Sequence, residues 1–467
     1  MIAATAAGRM LTVLAAAFAS TLAFAQAPAA AASADIVKRG EYLAIAGDCT
    51  ACHSVPGGKP FGGGLAIPTP IGEIIATNIT PSRSAGIGNY SLAQFDDALR
   101  RGVRADGAHL YPAMPYTSYA LVTDDDVAAL YAYFMNAVTP VDAAPPPTRL
   151  PFPFNVRLSM LAWNLLFLHD ATFKRDPAKS DQWNRGAYLS RGLAHCSTCH
   201  SPRNLLMAED ASRDLGGGDV GTWFAPNVTS DVISGVGGWS EQELADYLRN
   251  GRTAGKGQAS GPMAEAVDNS FRHMTDADLH AIATYVKSVP ALRDTAETRP
   301  AYAWGAPADD LDTIRGVALP DDAEQMTGPQ LYDANCATCH QARGQGSFDG
   351  GLPPLFHNTA LGRADTNNLV MVILDGIVHN GEPAGVVMPA FRRDLSDQQV
   401  ATLGNYLLQR FGNPDAKVAA GQVGKLRAGG GSTWIVWAVR AAMLAVVLLV
   451  VAALIGRGAR RRRIRDT

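Results

Sequence analysis

Cysteine is scarce in this chain, with six among 467 residues. All six fall in three short motifs, so none is left for a structural disulfide or a spare redox pair. Charge is scarce as well: 18% of residues are charged and the net formal charge is −3, which offers no basic excess to hold nucleic acid. No glycine-rich nucleotide-binding motif, molybdenum site or catalytic triad signal appears. Apolar runs long enough to matter lie near the two ends and at "VRLSMLAWNLLFL" (156–168).

What is present is one string three times. Cys49, Cys52 and His53, then Cys196, Cys199 and His200, then Cys336, Cys339 and His340 each read Cys-x-x-Cys-His. This is the pattern of covalent c-type haem attachment. The two thiols add across the two vinyl groups of the macrocycle, and the following imidazole lies under the iron as proximal ligand. A zinc site would gather four ligands from neighbouring pairs, yet these motifs are well over a hundred residues apart. A thioredoxin-like pair needs no trailing histidine.

The ends speak of location. Arg9, the apolar stretch Leu11 to Phe24 and Ala23-Phe24-Ala25 before Gln26 read as a secretory signal peptide over 1–25. Trp434 to Gly456 is apolar apart from Arg440 and precedes Arg457, Arg460, Arg461, Arg462, Arg463 and Arg465. Twenty-three residues suffice to cross a hydrocarbon core of ~30 Å. A transmembrane anchor at 434–456 is expected, with the basic tail 457–467 cytoplasmic and the bulk of the chain periplasmic. Arg440 near the outer end is expected to snorkel to the headgroups beside Trp434 and Trp437.

Self-comparison shows duplication: residues 74–102 match 223–251 without a gap. A second pattern joins all three motifs. Thr123, Thr275 and Ser396 stand as helix N-caps with aspartate next, apolar residues follow at four and seven, and Tyr133, Tyr285 and Tyr406 come at ten. Weaker opening helices carry Gly40/Tyr42, Gly186/Tyr188 and Gly328/Tyr332. The expected architecture is all-α: domains at 35–140, 180–290 and 323–413, separated by 141–179, a linker with an apolar helix, and by the linker 291–322. The stretch 156–168 reads as a helix packed between domains or as a docking surface for another subunit.

The second axial position on each iron decides between relay and catalysis. Met114 in "YPAMPY", Met263 in "SGPMAEAV" and Met388 in "VVMPAF" precede the closing helices beside prolines and are the candidate distal ligands. Met135 and Met371 lie in apolar runs and read as core, Met274 adjoins a cap, and Met207 is close to His200. His273, His357 and His379 are competing ligands. His195 is a candidate neighbour of the haem edge or a surface residue, and Arg203 a candidate partner of a haem propionate.

The strings "RGEYLAIAGDCTACHS", "ATNIT", "YPAMPY", "WNRGAYLSRGLAHCSTCHSPRN", "APNVTSD", "GPMAEAV" and "MPAF" resemble the three-haem cytochrome c subunit of membrane-bound bacterial dehydrogenases, the group serving alcohol and gluconate 2-dehydrogenases. The resemblance implies three tandem class I cytochrome c domains and a separate catalytic subunit of flavoprotein, PQQ or molybdenum type. It also implies delivery of electrons to ubiquinone in the membrane, with no substrate oxidation by this chain. An electron donor to a terminal oxidase and a haem peroxidase are the alternatives.

Overall fold

The computed structural model of the protein describes residues 33–169, 171–348, 351–378, 387–429 and 434–465. The expected leader 1–25 and His379 lie outside them. The chain is rich in helix, and the strands among the described residues form four two-stranded antiparallel pairs of two to four residues each.

Each repeat is closed by the crossing of an opening and a closing helix: Ala34–Ala46 with Asp124–Asn136, Asp181–Tyr188 with Asp276–Val286, and Gly328–Asn335 with Asp397–Phe411. The cap hydroxyls of Thr123, Thr275 and Ser396 accept from the backbone N–H three residues on, satisfying donors a helix start leaves open. The apolar stripes point inward, with Val127, Leu130, Leu279, Ile282, Val400 and Leu403 all fully buried. Burying each contributes about 1.5–3 kcal/mol. The glycine of each opening helix is what lets the pair cross closely. A Cβ on Gly40 would stand 1.9 Å from Ala129 O, one on Gly186 1.8 Å from Ala281 O, and one on Gly328 2.5 Å from Tyr406 Cβ. Tyr133 and Tyr285 meet Gly40 and Gly186 in the same way. The glycine and tyrosine patterns seen separately in the sequence are therefore two sides of one contact.

The first and second repeats share a single core that runs from Leu43 through Tyr188 to Val289. Their joint is reciprocal. Asp126 accepts from Arg39 Nε at 2.8 Å and from Tyr188 Oη at 2.5 Å. Asp278 accepts from Arg185 Nε at 2.8 Å and from Tyr42 Oη at 2.5 Å. Each repeat thus lends a tyrosine to the carboxylate of the other, as the two halves of a two-fold interface do.

The third repeat has its own core, built around Leu331, Leu374, Leu403 and Phe411. This core extends past the expected boundary at 413, because the helix Ala420–Arg427 buries Val423 and Leu426 against the closing helix. Asn368 clasps the second repeat through its backbone, accepting from Phe224 N at 2.9 Å and donating to Phe224 O at 2.7 Å. The stretch 291–322 lies on the body, with Ala301, Trp304 and Asp310 buried.

The last helix is Trp434–Arg465. Its stretch Ile435–Arg457 is long and apolar enough to cross a membrane, and its large side chains from Met443 to Ile455 are exposed. Arg440 donates to Phe152 O at 2.9 Å, and its guanidinium lies over the Trp437 ring.

Candidate functional site

Cys49–His53, Cys196–His200 and Ala337–His340 are single helical turns. In a helix, residues i, i+3 and i+4 share a face, so the first two turns present two sulfurs and one imidazole to the same side, while in the third Cys339 and His340 lie in the turn and Cys336 caps it. The histidine is then fixed from behind. His53 Nδ1 donates to Thr77 O at 2.6 Å, His200 Nδ1 to Pro226 O at 2.6 Å, and His340 Nδ1 to Pro353 O at 3.3 Å. A carbonyl only accepts, so the proton sits on Nδ1 and the Nε2 lone pair is left for a metal. Burial pushes the pKa of all three imidazoles down, which keeps the rings neutral as ligation requires.

The acceptor carbonyls are themselves positioned. Asn78, next to Thr77, donates to Val141 O at 2.7 Å and accepts from Thr80 N at 2.9 Å. Asn227, next to Pro226, donates to Leu292 O at 2.6 Å and accepts from Thr229 N at 2.8 Å. These are the asparagines of the "ATNIT" and "APNVT" strings. Pro354 follows Pro353 in the third repeat, with no amide to play that part.

A cavity of about 240 Å³ opens over the second motif, lined by Cys196, Cys199, His200 and Met263 among aromatic and aliphatic side chains. A second cavity, of about 120 Å³, is lined by Cys336, Cys339, His340 and Met388. Gln258, Ser260 and Ala360 line both, so the two crevices adjoin. Ala46 and Asp48, beside the first motif, also line the larger one, which places it between the other two sites. Met114 and Cys49 both back onto the core shared by the first two repeats.

A constant spacing positions the methionines. Gly102, Gly251 and Gly376 end helices at positive φ (63°, 71° and 70°), and the methionine comes twelve residues later each time. The turns Val103↔His109 and Arg252↔Gln258 then pair in equivalent register. The competing methionines are placed elsewhere. Met274 and Met371 are buried in the cores, Met135 packs against the shared core, and Met207 sits in a turn at positive φ. His273 bonds Asp268 O and His357 bonds Tyr302 O, and neither lines the described cavities.

Two further neighbours of the motifs are placed as follows. Of its two expected roles, His195 takes the place of a haem-edge neighbour: it lines the larger cavity, its ring meets Tyr119 of the first repeat edge-on at 5.7 Å, and burial pushes its pKa down to about 4. Arg203 faces Thr198 O and Glu209 and lines neither described cavity. The arginine on the larger cavity is Arg363, contributed by the third repeat, buried, and paired with Glu297 at 3.2 Å. Sequence spacing gives no sign of it, since it lies 163 positions from His200.

These walls suit a covalently held haem. Burial pushes the thiols of Cys49, Cys52, Cys196 and Cys336 up to about 12, a setting that favours a thioether over the thiolate a zinc site would need. Ser270 Oγ, buried without a partner among the described residues, and the Arg363 guanidinium are among the polar groups on a mostly apolar wall. Fold and site together define a c-type cytochrome with covalently bound haem.

Comparison with known proteins agrees. The model of the family described as Cytochrome c matches residues 37–137 and 185–290, and that of Cytochrome C oxidase, cbb3-type, subunit III matches 323–407. The chain is 45% identical to the fructose dehydrogenase cytochrome subunit of Gluconobacter japonicus, over 84% of this chain and 83% of that one. It is 40% identical to the gluconate 2-dehydrogenase cytochrome c subunit of Pantoea cypripedii, over 87% and 93%. To the cytochrome c subunit of alcohol dehydrogenase (quinone) from Gluconobacter oxydans (strain 621H) it is 37% identical, over 87% and 85%. The chain belongs to the family of dehydrogenase cytochrome c subunits, electron-transfer partners of a catalytic dehydrogenase subunit.

Proposed function

We propose that this chain carries three haem c groups in three cytochrome c domains (35–140, 180–290 and 323–413) and relays electrons from a catalytic dehydrogenase subunit to ubiquinone. The observation that carries the reading is the repeated set of two cysteines, a histidine held at Nδ1 by a carbonyl, and a methionine lining the same cavity, seen in full at the second and third sites. When bound, each haem supplies a one-electron couple. Cys49 and Cys52, Cys196 and Cys199, and Cys336 and Cys339 hold the three macrocycles through thioether bonds. His53, His200 and His340 would ligate the irons through Nε2, and Met114, Met263 and Met388 would ligate them through their thioethers, a soft ligation that favours the reduced state. Apolar walls exclude water, and Arg363 offers the second haem's propionates a guanidinium from the neighbouring domain. The second site, adjoining both others, is the middle of the relay.

The names of the relatives point to fructose, gluconate or alcohol as the class of substrate oxidised by the partner, outside the cytoplasmic membrane. The C-terminal helix spans that membrane with its arginine tail on the cytoplasmic side. A donor to a terminal oxidase is the weaker reading, because the oxidase-type match covers 323–407 alone while the dehydrogenase relatives align along most of the chain.

Met388→Ala tests ligation and relay together. The third iron is expected to bind carbon monoxide and to lower its potential, while Met371→Ala costs only core stability, about 2–5 kcal/mol. The intact mass should exceed the polypeptide by three haems. An unchanged spectrum in Met388→Ala overturns the ligand assignment. Reduction of the haems by sugar or alcohol in the chain purified alone overturns the relay.

A further inference from the structure

Exposed leucines gather on one side of the molecule in a way that the relay does not use. The helix Ser159–Phe167 has no charged residue and is fastened along one edge only. Asn164, buried there, accepts from Tyr116 Oη at 2.8 Å and donates to Arg101 O at 3.3 Å, and Trp163 meets the Tyr116 ring edge-on. The other edge is open. Leu158, Leu161, Leu165 and Leu166 are exposed, Leu165 to 80%.

A second element completes the surface. Trp163 Nε1 donates to Leu206 O at 2.9 Å, which holds against the helix the tip of a turn closed by the Arg203↔Glu209 bridge. The tip displays Leu205, 95% exposed, and Leu206. It is a fixed turn: Asn204 Oδ1 accepts from Leu206 N and Ala208 N, and Met207 holds a φ of 63°. A rigid turn that presents two leucines outward, beside an uncharged helix, forms an apolar patch of the kind that another phase or a partner covers.

The apolar C-terminal helix says which. Arg440, the last charge before the uncharged stretch from Ala441 to Gly456, donates to Phe152 O. If that stretch spans the membrane, Phe152 stands at the headgroup level, four residues before Val156 leads into the leucine helix. Of the basic residues Arg149, Arg157, Lys174 and Arg175 around the helix, Arg157 donates to His109 O and Arg175 pairs with Asp181, which leaves Arg149 and Lys174 for anionic headgroups. A protein partner on this strip would have to share it with lipid.

We propose that the helix Ser159–Phe167 and the Leu205–Leu206 tip lie in the outer headgroup layer of the membrane as a second contact that does not span it. The proposal rests on the reading of Ile435–Arg457 as the span. Two separated contacts fix the tilt of the haem-bearing body against the bilayer, which a single span does not.

The test uses the full haem-loaded chain in nanodiscs of phosphatidylethanolamine and phosphatidylglycerol. Because every native cysteine belongs to a haem motif, Leu165→Cys, Leu205→Cys, Val447→Cys and Val232→Cys each offer one thiol for a nitroxide label. Collisions with oxygen, which concentrates in lipid, are compared with those of a water-soluble nickel complex. The expected result is oxygen-dominated relaxation at 165, 205 and 447 and nickel-dominated relaxation at 232. Nickel-dominated relaxation at 165 and 205 with 447 still oxygen-dominated overturns the second contact and leaves the span standing. Nickel dominance at 447 as well overturns both. Loss of both kinds of collision at 165 and 205 only when the catalytic subunit is added assigns the patch to that subunit and overturns the lipid reading.

Discussion

The first two repeats and the third carry the same attachment motif on different frames. In the pair, His53 and His200 sit 2.6 Å from a carbonyl whose neighbour is a buried asparagine. In the third, His340 stands 3.3 Å from Pro353 O, followed by Pro354. The pair shares one core and exchanges Tyr–Asp bonds, while the third repeat has its own core. There Gln399 takes the closing-helix position of Asp126 and Asp278 and donates to Ala323 O at 3.0 Å. Attachment needs only one helical turn and a carbonyl behind the histidine, so the surrounding frame is free to diverge. What the divergent frame controls is how firmly the ligand is held and whom the domain packs against.

The sharpest way to break this comparison is to empty one crevice at a time. At about 24 cal/mol per Å³ of void, losing the haem from a 240 Å³ cavity costs about 6 kcal/mol and from a 120 Å³ cavity about 3 kcal/mol. The double variant Cys196→Ala/Cys199→Ala should therefore fail to accumulate, since all three repeats line that cavity. Cys336→Ala/Cys339→Ala should accumulate with two haems by mass and haem stain. Equal yields of the two variants would remove the distinction between frames.

Next in size are the reciprocal bonds. Asp126→Asn and Asp278→Asn should each cost about 1.5–3 kcal/mol in denaturant unfolding, because each removes the charged acceptor of hydrogen bonds from a tyrosine and an arginine. Gln399→Ala should cost about 1 kcal/mol. A much smaller loss at one aspartate than at the other would show that the joint is not reciprocal in energy.

Acid probes the same joint more gently. Burial alone would raise the Asp278 carboxyl, but the bonds from Arg185 and Tyr42 outweigh it and hold the group below its ordinary value. Its contribution is thus fully present above the unfolded pKa of about 3.9 and is lost as pH falls through the lower folded value. Melting followed from pH 6 downward should show this loss in the wild type and not in Asp278→Asn.

The smallest effect concerns the carbonyls. Asn78→Ala and Asn227→Ala should loosen Thr77 O and Pro226 O, make the imidazoles less electron-rich, and raise the first two haem potentials in a redox titration. Movement of the third potential instead would detach the asparagines from the histidines in front of them.

How much of this was legible depends on the range of each interaction. The Cys-x-x-Cys-His turns are local, and the cap, stripe and tyrosine of each closing helix follow helical periodicity, so both stand out in the sequence. The twelve-residue interval from Gly102, Gly251 and Gly376 to the methionines was also there to be read. The acceptors Thr77 O, Pro226 O and Pro353 O are backbone atoms, which any residue supplies. Tyr42 with Asp278 and Arg363 with the second crevice join segments more than 150 residues apart, and no periodicity encodes such pairs. The helix Ala420–Arg427 escaped notice because "AGQVGKLR" has two glycines and only two large apolar residues.

The exchange of Tyr42 and Tyr188 across the joint has a consequence for the behaviour of the chain in dilute solution. Two copies of one bond set related by a two-fold are what a single-repeat protein would make with itself, and such a dimer falls apart on dilution. Tethered through residues 141–179, the two halves meet at an effective concentration on the order of millimolar, whatever the amount of protein. The separation between the first two attachment motifs is then a property of the covalent chain, the same at any concentration.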